Sequence, residues 1–134
     1  MSKIKPVADL IAEANEVIQT ISVEDALAAH GTDEFVFVDI RDVRELQRDG
    51  TIPDAQHAPR GMLEFWFDPS SPYHKEVFGD EEKTYVLYCQ AAWRSALACK
   101  TLVEMGFDNV RHFSDGFKGW KESDGPIVEY SHKK

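Results

Sequence analysis

The chain has 134 residues, 43% of them hydrophobic, and a formal net charge of −9 at pH 7, which suits one soluble domain with a core and argues against nucleic acid as a partner. No apolar run reaches the roughly 20 residues of a membrane span, so no membrane partner is expected. Two cysteines are too few for a disulfide scaffold, and we expect a reducing cytoplasm.

Apolar spacing in the first part of the chain predicts three helices and a buried strand. Helical periodicity begins just after Pro6, and Ser22 with Asp25 resembles the capping pair of a second, short helix. The run FVFVDI, residues 35–40, is nearly continuous in apolar residues, as expected of a strand buried on both faces of a parallel sheet. A helix over residues 41–48 follows.

The rest of the chain continues the alternation of strands and helices. A very short strand is expected within residues 51–61, followed by a brief helix and a long polar loop over residues 68–82. The later elements are the strand TYVLY, a helix from Arg94 to Met105, the strand NVRHF and a helix from Gly116 to Glu122. This order predicts an α/β fold with a doubly wound, mainly parallel central sheet flanked by helices.

A cysteine stands at the corner between the strand TYVLY and the helix that follows it. Open parallel sheets bind ligands at the carboxyl ends of their strands, where Cys89 lies. A short loop into a helix can direct backbone N–H groups at an anion, and the helix dipole adds to this. We therefore expect Cys89 to be a thiolate at neutral pH. Its binding loop is Gln90, Ala91, Ala92, Trp93, Arg94 and Ser95.

Other candidate residues have plainer interpretations. A free cysteine is most often a buried packing residue, and Cys99, in the middle of a helix beside apolar residues, fits that role. His57 and His74 are loop histidines with no third ligand at useful spacing, so no metal site is expected. The corner position of Cys89 favours a functional thiol over a packing one.

Four motifs occur in register along the chain: VDIRD followed by Glu45, G-x-IP-x-A-x-x-x-P across residues 50–59, the cysteine loop, and GFKGW with GPIV near the end. Together they resemble the single-domain rhodaneses, a family of sulfurtransferases. The resemblance covers roughly residues 21–130. It implies a rhodanese-like domain there, with residues 1–20 as an N-terminal helical extension and residues 131–134 as a C-terminal tail.

The resemblance also implies a reaction. Cys89 would accept a sulfane sulfur from a small-molecule donor, thiosulfate or a persulfide, and pass it to a thiol or a cyanide-like acceptor, with a partner protein as a further candidate. The amides of residues 90–95 would stabilise the thiolate and the persulfide, and Arg94 would hold anionic donors. No metal and no organic cofactor is needed.

Two alternatives share this fold. Rhodanese folds that have lost the loop cysteine serve as non-catalytic binding modules, and the presence of Cys89 and Arg94 argues against that role. Dual-specificity phosphatases and arsenate reductases place five residues between cysteine and arginine, which makes a ring wide enough for an oxyanion. This chain has four, Gln90 to Trp93, which favours a single sulfur atom.

Several positions depart from the family pattern. Thr51 stands where many members have histidine, and Asp54 and Ala92 stand where they have glycine. An alanine at 92 would strain the loop if that position required a positive φ. Gln90 and Ala91 replace cations that some thiosulfate-using relatives carry, so we expect poor use of thiosulfate.

Asp39, Arg41 and Glu45 follow the carboxyl end of a strand, which suggests a catalytic role. The family pattern suggests instead that they brace the loops around the cysteine, and we expect that structural role. Trp93, Phe65 and Trp66 are candidates for a pocket wall or a docking surface, with core packing as the alternative, whereas Trp120 is expected in the core.

Overall fold

The structure is a computed structural model and describes residues 4–130. Within that range one parallel sheet runs in the order β1-β5-β4-β2-β3. Its strands are β1 (Thr20–Ile21), β2 (Phe35–Asp39), β3 (Gln56–His57), β4 (Thr84–Tyr88) and β5 (Val110–Phe113). The helices are α1 (Val7–Val17), α2 (Val23–Ala29), α3 (Val43–Asp49), α4 (Leu63–Phe67), α5 (Trp93–Glu104) and α6 (Gly116–Glu122). The predicted α/β class and parallel sheet are confirmed.

Both faces of the sheet are covered, as the apolar run at residues 35–40 predicts. In β2, Val38 packs into the cluster that contains α1, α4 and α5, whereas Phe37 packs into the cluster on the opposite face with α2 and α6. Trp120 lies fully buried in the second cluster, as expected. Two buried faces explain why β2 and β4 lack the alternation of a half-exposed strand.

The N-terminal helix shares the core of the sheet. Ala14 and Ile18 belong to the same apolar cluster as α5, and α1 packs directly on that helix. The predicted boundary between residues 20 and 21 lies inside β1, which pairs with β5. The predicted tail, residues 131–134, lies outside the described residues. None of the helices in residues 4–130 has the length and hydropathy of a transmembrane segment.

A buried hydrogen-bond network ties the carboxyl ends of β2 and β4 together. The Asp39 carboxylate accepts from Arg41 Nε at 2.9 Å and Nη2 at 2.8 Å. It also accepts from Thr51 Oγ1 at 2.9 Å and Tyr88 Oη at 2.8 Å. Burial and the neighbouring Asp39 carboxylate raise the pKa of Tyr88, so its phenol keeps the proton that it donates. The network fixes the residue immediately before Cys89.

Candidate active site

Cys89 follows the last residue of β4, and α5 begins four residues later at Trp93. The residue is 1% exposed. Its Sγ lies 3.4 Å from Ser95 Oγ, and the Ser95 hydroxyl donates to the Ala92 carbonyl at 3.2 Å. Sulfur, hydroxyl and carbonyl thus form a short chain of polar contacts inside the loop.

The loop carries a run of free backbone donors. Among residues 4–130, no protein group accepts a hydrogen bond from the N–H groups of residues 90–95. The first N–H groups of a helix have no intrahelical partner, and such groups bind anions when a loop gathers them. This stretch is the part of the chain best able to hold negative charge on Cys89 or on an atom attached to it.

The departures from the family pattern cause little strain in the loop itself. Ala92 has φ −159° and ψ −19°, so its φ lies outside the left-handed region and the expected cost of an alanine at positive φ does not arise. Asp54 has φ +67°, the region that favours glycine, and aspartate tolerates it better than most residues do. Position 54 therefore has the positive φ that explains a glycine in other family members, whereas position 92 does not.

The N-terminus of α6 holds the cysteine loop from the other side. Phe117 N donates to the Cys89 carbonyl at 2.9 Å, and Lys118 N donates to the Gln90 carbonyl at 3.0 Å. Gly116 has φ +67°, and a Cβ there would lie 2.4 Å from the Ala91 carbonyl oxygen. The sequence motif GFKGW hence includes a loop-positioning function that spacing alone does not reveal.

Arg94 is held by an acidic partner from α3. Its Nη1 and Nη2 donate to the two carboxylate oxygens of Glu45 at 2.7 and 3.1 Å. The hydrogen bond with Arg94 is the largest cause of a lowered pKa for Glu45, and the same bond raises the pKa of Arg94. Glu45 therefore braces the loop, as expected, and part of the Arg94 charge is already neutralised.

A second cation, Arg60, reaches the loop, and the three aromatic candidates differ in their exposure. Arg60 Nη1 lies 3.5 Å from the Arg94 carbonyl, a contact that no sequence motif indicates. Trp93 is 66% exposed, and Phe65 is also exposed, so neither ring is a core residue. Trp66, in contrast, is partly buried and stacks on Phe78. Of the three aromatic candidates, Trp93 and Phe65 are free to contact a ligand or a partner.

The remaining candidates have structural roles. His57 Nε2 is 2.7 Å from the Arg41 carbonyl, and His74 Nδ1 is 2.9 Å from the Trp66 carbonyl. No group of three or more metal-ligating side chains lies together within residues 4–130. Cys99 is buried, and burial raises the pKa of its thiol to about 12. The expectation that Cys99 packs in the core is confirmed.

A cavity of about 760 Å³ lies at the opposite edge of the sheet, where strands begin; its lining includes Phe67, Phe78 and Phe107. It is remote from the cysteine loop. A molecule that reacts with Cys89 must therefore reach its sulfur at the carboxyl edge of the sheet, away from this cavity.

Fold and site together define a class: α/β proteins with a cysteine loop at the carboxyl edge of a parallel sheet. The chain belongs to the rhodanese-like family, since the model for the rhodanese-like domain matches residues 22–123. This membership confirms the resemblance in the sequence motifs and makes the chain a member of a sulfurtransferase family.

Two similar proteins are described as sulfur transferases, and a third is described as a possible phosphatase. A sulfurtransferase from Allochromatium vinosum is 30% identical over 97 residues, which cover 72% of this chain and 81% of the relative. The polysulfide-sulfur transferase homodimer from Wolinella succinogenes has a TM-score of 0.71 at 30% identity, covering 92% of this chain and 88% of its own. A protein from Rhodopseudomonas palustris, described as of unknown function and a possible tyrosine phosphatase, has a TM-score of 0.90 at 45% identity, covering 96% and 98%.

Arg94→Ala is expected to slow alkylation of Cys89 by iodoacetamide at pH 6 by about ten-fold, because it removes a permanent positive charge that interacts with the Cys89 sulfur. Arg94→Lys is expected to restore only part of the rate, since an ammonium group cannot bind Glu45 through two parallel hydrogen bonds. Intact-mass time courses measure both rates. Arg48→Ala, at an exposed pair with Asp49, is the control. An unchanged rate in Arg94→Ala would mean that backbone amides alone hold the thiolate.

Proposed function

We propose that this protein is a sulfurtransferase that carries a sulfane sulfur as a persulfide on Cys89. The observation that supports this most directly is the run of free N–H groups at residues 90–95 around a cysteine at the carboxyl edge of the sheet. A thiolate and a persulfide both place negative charge there. Family membership supplies the reaction class, and the loop supplies an environment that suits its intermediate.

The proposed reaction has two half-reactions. In the first, the Cys89 thiolate attacks the outer sulfur of a donor, a Cys89–S–S⁻ persulfide forms, and the donor leaves as a thiolate or, from thiosulfate, as sulfite. In the second, an acceptor thiolate or cyanide attacks the outer sulfur and the Cys89 thiolate leaves. Bonds and electrons balance without an external oxidant, and ping-pong kinetics are expected.

Each part of the cysteine loop has its own role in this reaction. Cys89 is the nucleophile, the amides of residues 90–95 hold its negative charge, and the Ser95 hydroxyl turns toward the sulfur when it is ionised. The donor approaches beside Trp93, whose exposed ring offers an apolar contact. A reducing cytoplasm is the compartment that we propose, because it keeps such a thiol free.

Persulfide formation is the direct test. Incubation with a low-molecular-weight persulfide should add about 32 Da, one sulfur atom, to the intact protein, with the gain confined to the peptide that contains Cys89. Cys89→Ser should show no gain, whereas Cys99→Ser should behave as the wild type because the Cys99 thiol is buried and un-ionised. A gain that survives in Cys89→Ser would refute the assignment.

Thiosulfate is expected to be a poor donor. It carries two negative charges, the chain has a net charge of −9, and the Arg94 guanidinium is already paired with Glu45. Steady-state kinetics should give a high KM for thiosulfate and a lower one for a less charged persulfide. Ala91→Lys, in the exposed part of the loop, should lower the thiosulfate KM, whereas Ala12→Lys, on the exposed face of α1, should not. A micromolar wild-type KM for thiosulfate would contradict this charge argument.

A phosphatase is the second candidate, and the similar Rhodopseudomonas palustris protein is the observation that favours it. The four-residue loop and the 1% exposure of Cys89 favour a single sulfur atom over a tetrahedral phosphate. Hydrolysis of p-nitrophenyl phosphate that depends on Cys89, without persulfide formation, would replace the proposal. A non-catalytic binding module would show neither activity and no alkylation of Cys89 at pH 6.

A further inference from the structure

One carbonyl in the cysteine loop has three hydrogen-bond partners. The Ala92 oxygen accepts from Ala96 N at 3.0 Å, which is the first bond of α5. It also accepts from Ser95 Oγ at 3.2 Å and contacts His112 Nε2 at 3.1 Å. Two side chains therefore share an acceptor, and one of them, Ser95, also contacts the Cys89 sulfur.

His112 is a buried residue of β5 with a fixed tautomer. It is 1% exposed, and its Nδ1 is buried without a hydrogen-bond partner among residues 4–130. Because a carbonyl can only accept, the proton of the neutral ring must be on Nε2. Burial lowers the pKa of His112, which keeps the ring neutral at pH 7. The ring is thus a permanent single donor to Ala92.

The Ser95 hydroxyl has one proton and can donate it either to the Ala92 carbonyl or to the Cys89 sulfur. When Cys89 is a thiol, S–H can donate to Ser95 Oγ while Ser95 donates to the Ala92 carbonyl, as the 3.4 and 3.2 Å contacts allow. When Cys89 is a thiolate or a persulfide anion, the hydroxyl must turn to the sulfur and release the carbonyl. A buried acceptor that loses a partner is costly unless others remain.

We propose that His112 is a positioning residue for sulfur transfer: by donating from Nε2 to the Ala92 carbonyl, it frees the Ser95 hydroxyl to turn to the Cys89 sulfur. The inference rests on the proposed role of Cys89 as the sulfur carrier. Among residues 4–130, no hydrogen bond joins the His112 side chain to the Cys89 sulfur. Its effect reaches Cys89 through Ala92 and Ser95.

A mutant cycle separates this role from a merely structural one. His112→Gln keeps an N–H at about the distance of Nε2, and His112→Asn places its amide at the position of Nδ1, too short to reach Ala92. At pH 6, His112→Asn should slow alkylation of Cys89 by about 3- to 10-fold, while His112→Gln stays within about two-fold of the wild type. The gap should close at pH 9.5, because a hydrogen bond to the sulfur changes the rate most where the protonated thiol predominates.

Ser95→Ala supplies the second arm of the cycle. In that background His112→Asn should have no further effect, within about two-fold, because the hydroxyl through which it acts is gone. Circular dichroism and urea unfolding verify that each variant is folded. Equal rates for the Asn and Gln variants, a gap that persists at pH 9.5, or an undiminished His112→Asn effect in Ser95→Ala would each overturn the inference.

The two proposals fail in different ways. The alkylation cycle needs no sulfur donor, so its outcome is independent of whether a persulfide forms. A wild type that takes up no sulfur would reject the proposed function. An intact persulfide reaction with no interaction between His112 and Ser95 would reject only the positioning role.

Discussion

Gly116→Ala is expected to reduce sulfur transfer by about 100-fold, the loss that a displacement of roughly 1 Å produces in a positioned site. The glycine has φ +67°, and an added Cβ would lie 2.4 Å from the Ala91 oxygen and 2.6 Å from the Gln90 oxygen. Both contacts are backbone atoms of the cysteine loop, so relief requires the loop or α6 to move. That movement would also break the bond from Phe117 N to the Cys89 carbonyl.

Gly31→Ala is the matched control for that prediction. Gly31 has φ +88°, and nothing lies within 4 Å of an added Cβ, so the variant carries the backbone strain without the clash. It should lose about 1 kcal/mol of unfolding free energy and no activity per folded molecule. Turnover with a persulfide donor, normalised to the folded fraction from urea unfolding, compares the two. Wild-type turnover in Gly116→Ala would show that α6 does not position the loop.

Asp39→Asn is expected to lower the free energy of unfolding by about 3–5 kcal/mol, because it leaves the Arg41 charge buried without its counter-ion. Both side chains of the pair are fully buried. The substitution also weakens the acceptor for Thr51 and Tyr88. Urea unfolding measured at pH 7 gives the change directly.

The exposed pair of Lys100 and Glu104 on α5 provides the comparison. Its nitrogen–oxygen distance of 2.5 Å is shorter than the 2.8 Å of the buried pair, but both side chains are in contact with solvent. Glu104→Gln should therefore cost no more than about 0.5 kcal/mol. Equal losses in Asp39→Asn and Glu104→Gln would show that burial does not control the contribution of the Asp39–Arg41 pair.

The layout of the site follows from local sequence, whereas the contacts that position it do not. Apolar runs mark β2 and β4 because both strands are buried on two faces, and the rule for parallel sheets then places Cys89 at the carboxyl edge. β1 has only two residues, Thr20 and Ile21, which is too short to show alternation, so it was not predicted. Burial on two faces makes β2 and β4 predictable from the sequence, and the short length of β1 makes it unpredictable.

Contacts between residues far apart in the sequence explain why other parts of the site could not be predicted. His112 bonds to Ala92 across 20 residues, Arg60 reaches Arg94 across 34, and Glu45 reaches Arg94 across 49. Of these contacts, only that of Glu45 had a sequence signal, through the family motif. His112 is a single histidine in the strand NVRHF. Neither periodicity nor spacing shows whether such a residue donates to an active-site loop or only packs in the core.

The chemistry of Cys99 has a consequence for the lifetime of the bound sulfur. Burial raises the pKa of this thiol to about 12, so almost no thiolate is available to attack a persulfide on Cys89. On the proposed function, the outer sulfur therefore cannot be discharged within the protein as an internal disulfide and hydrogen sulfide. It departs only when an acceptor arrives from solution, and until then each molecule keeps one sulfur atom in storage.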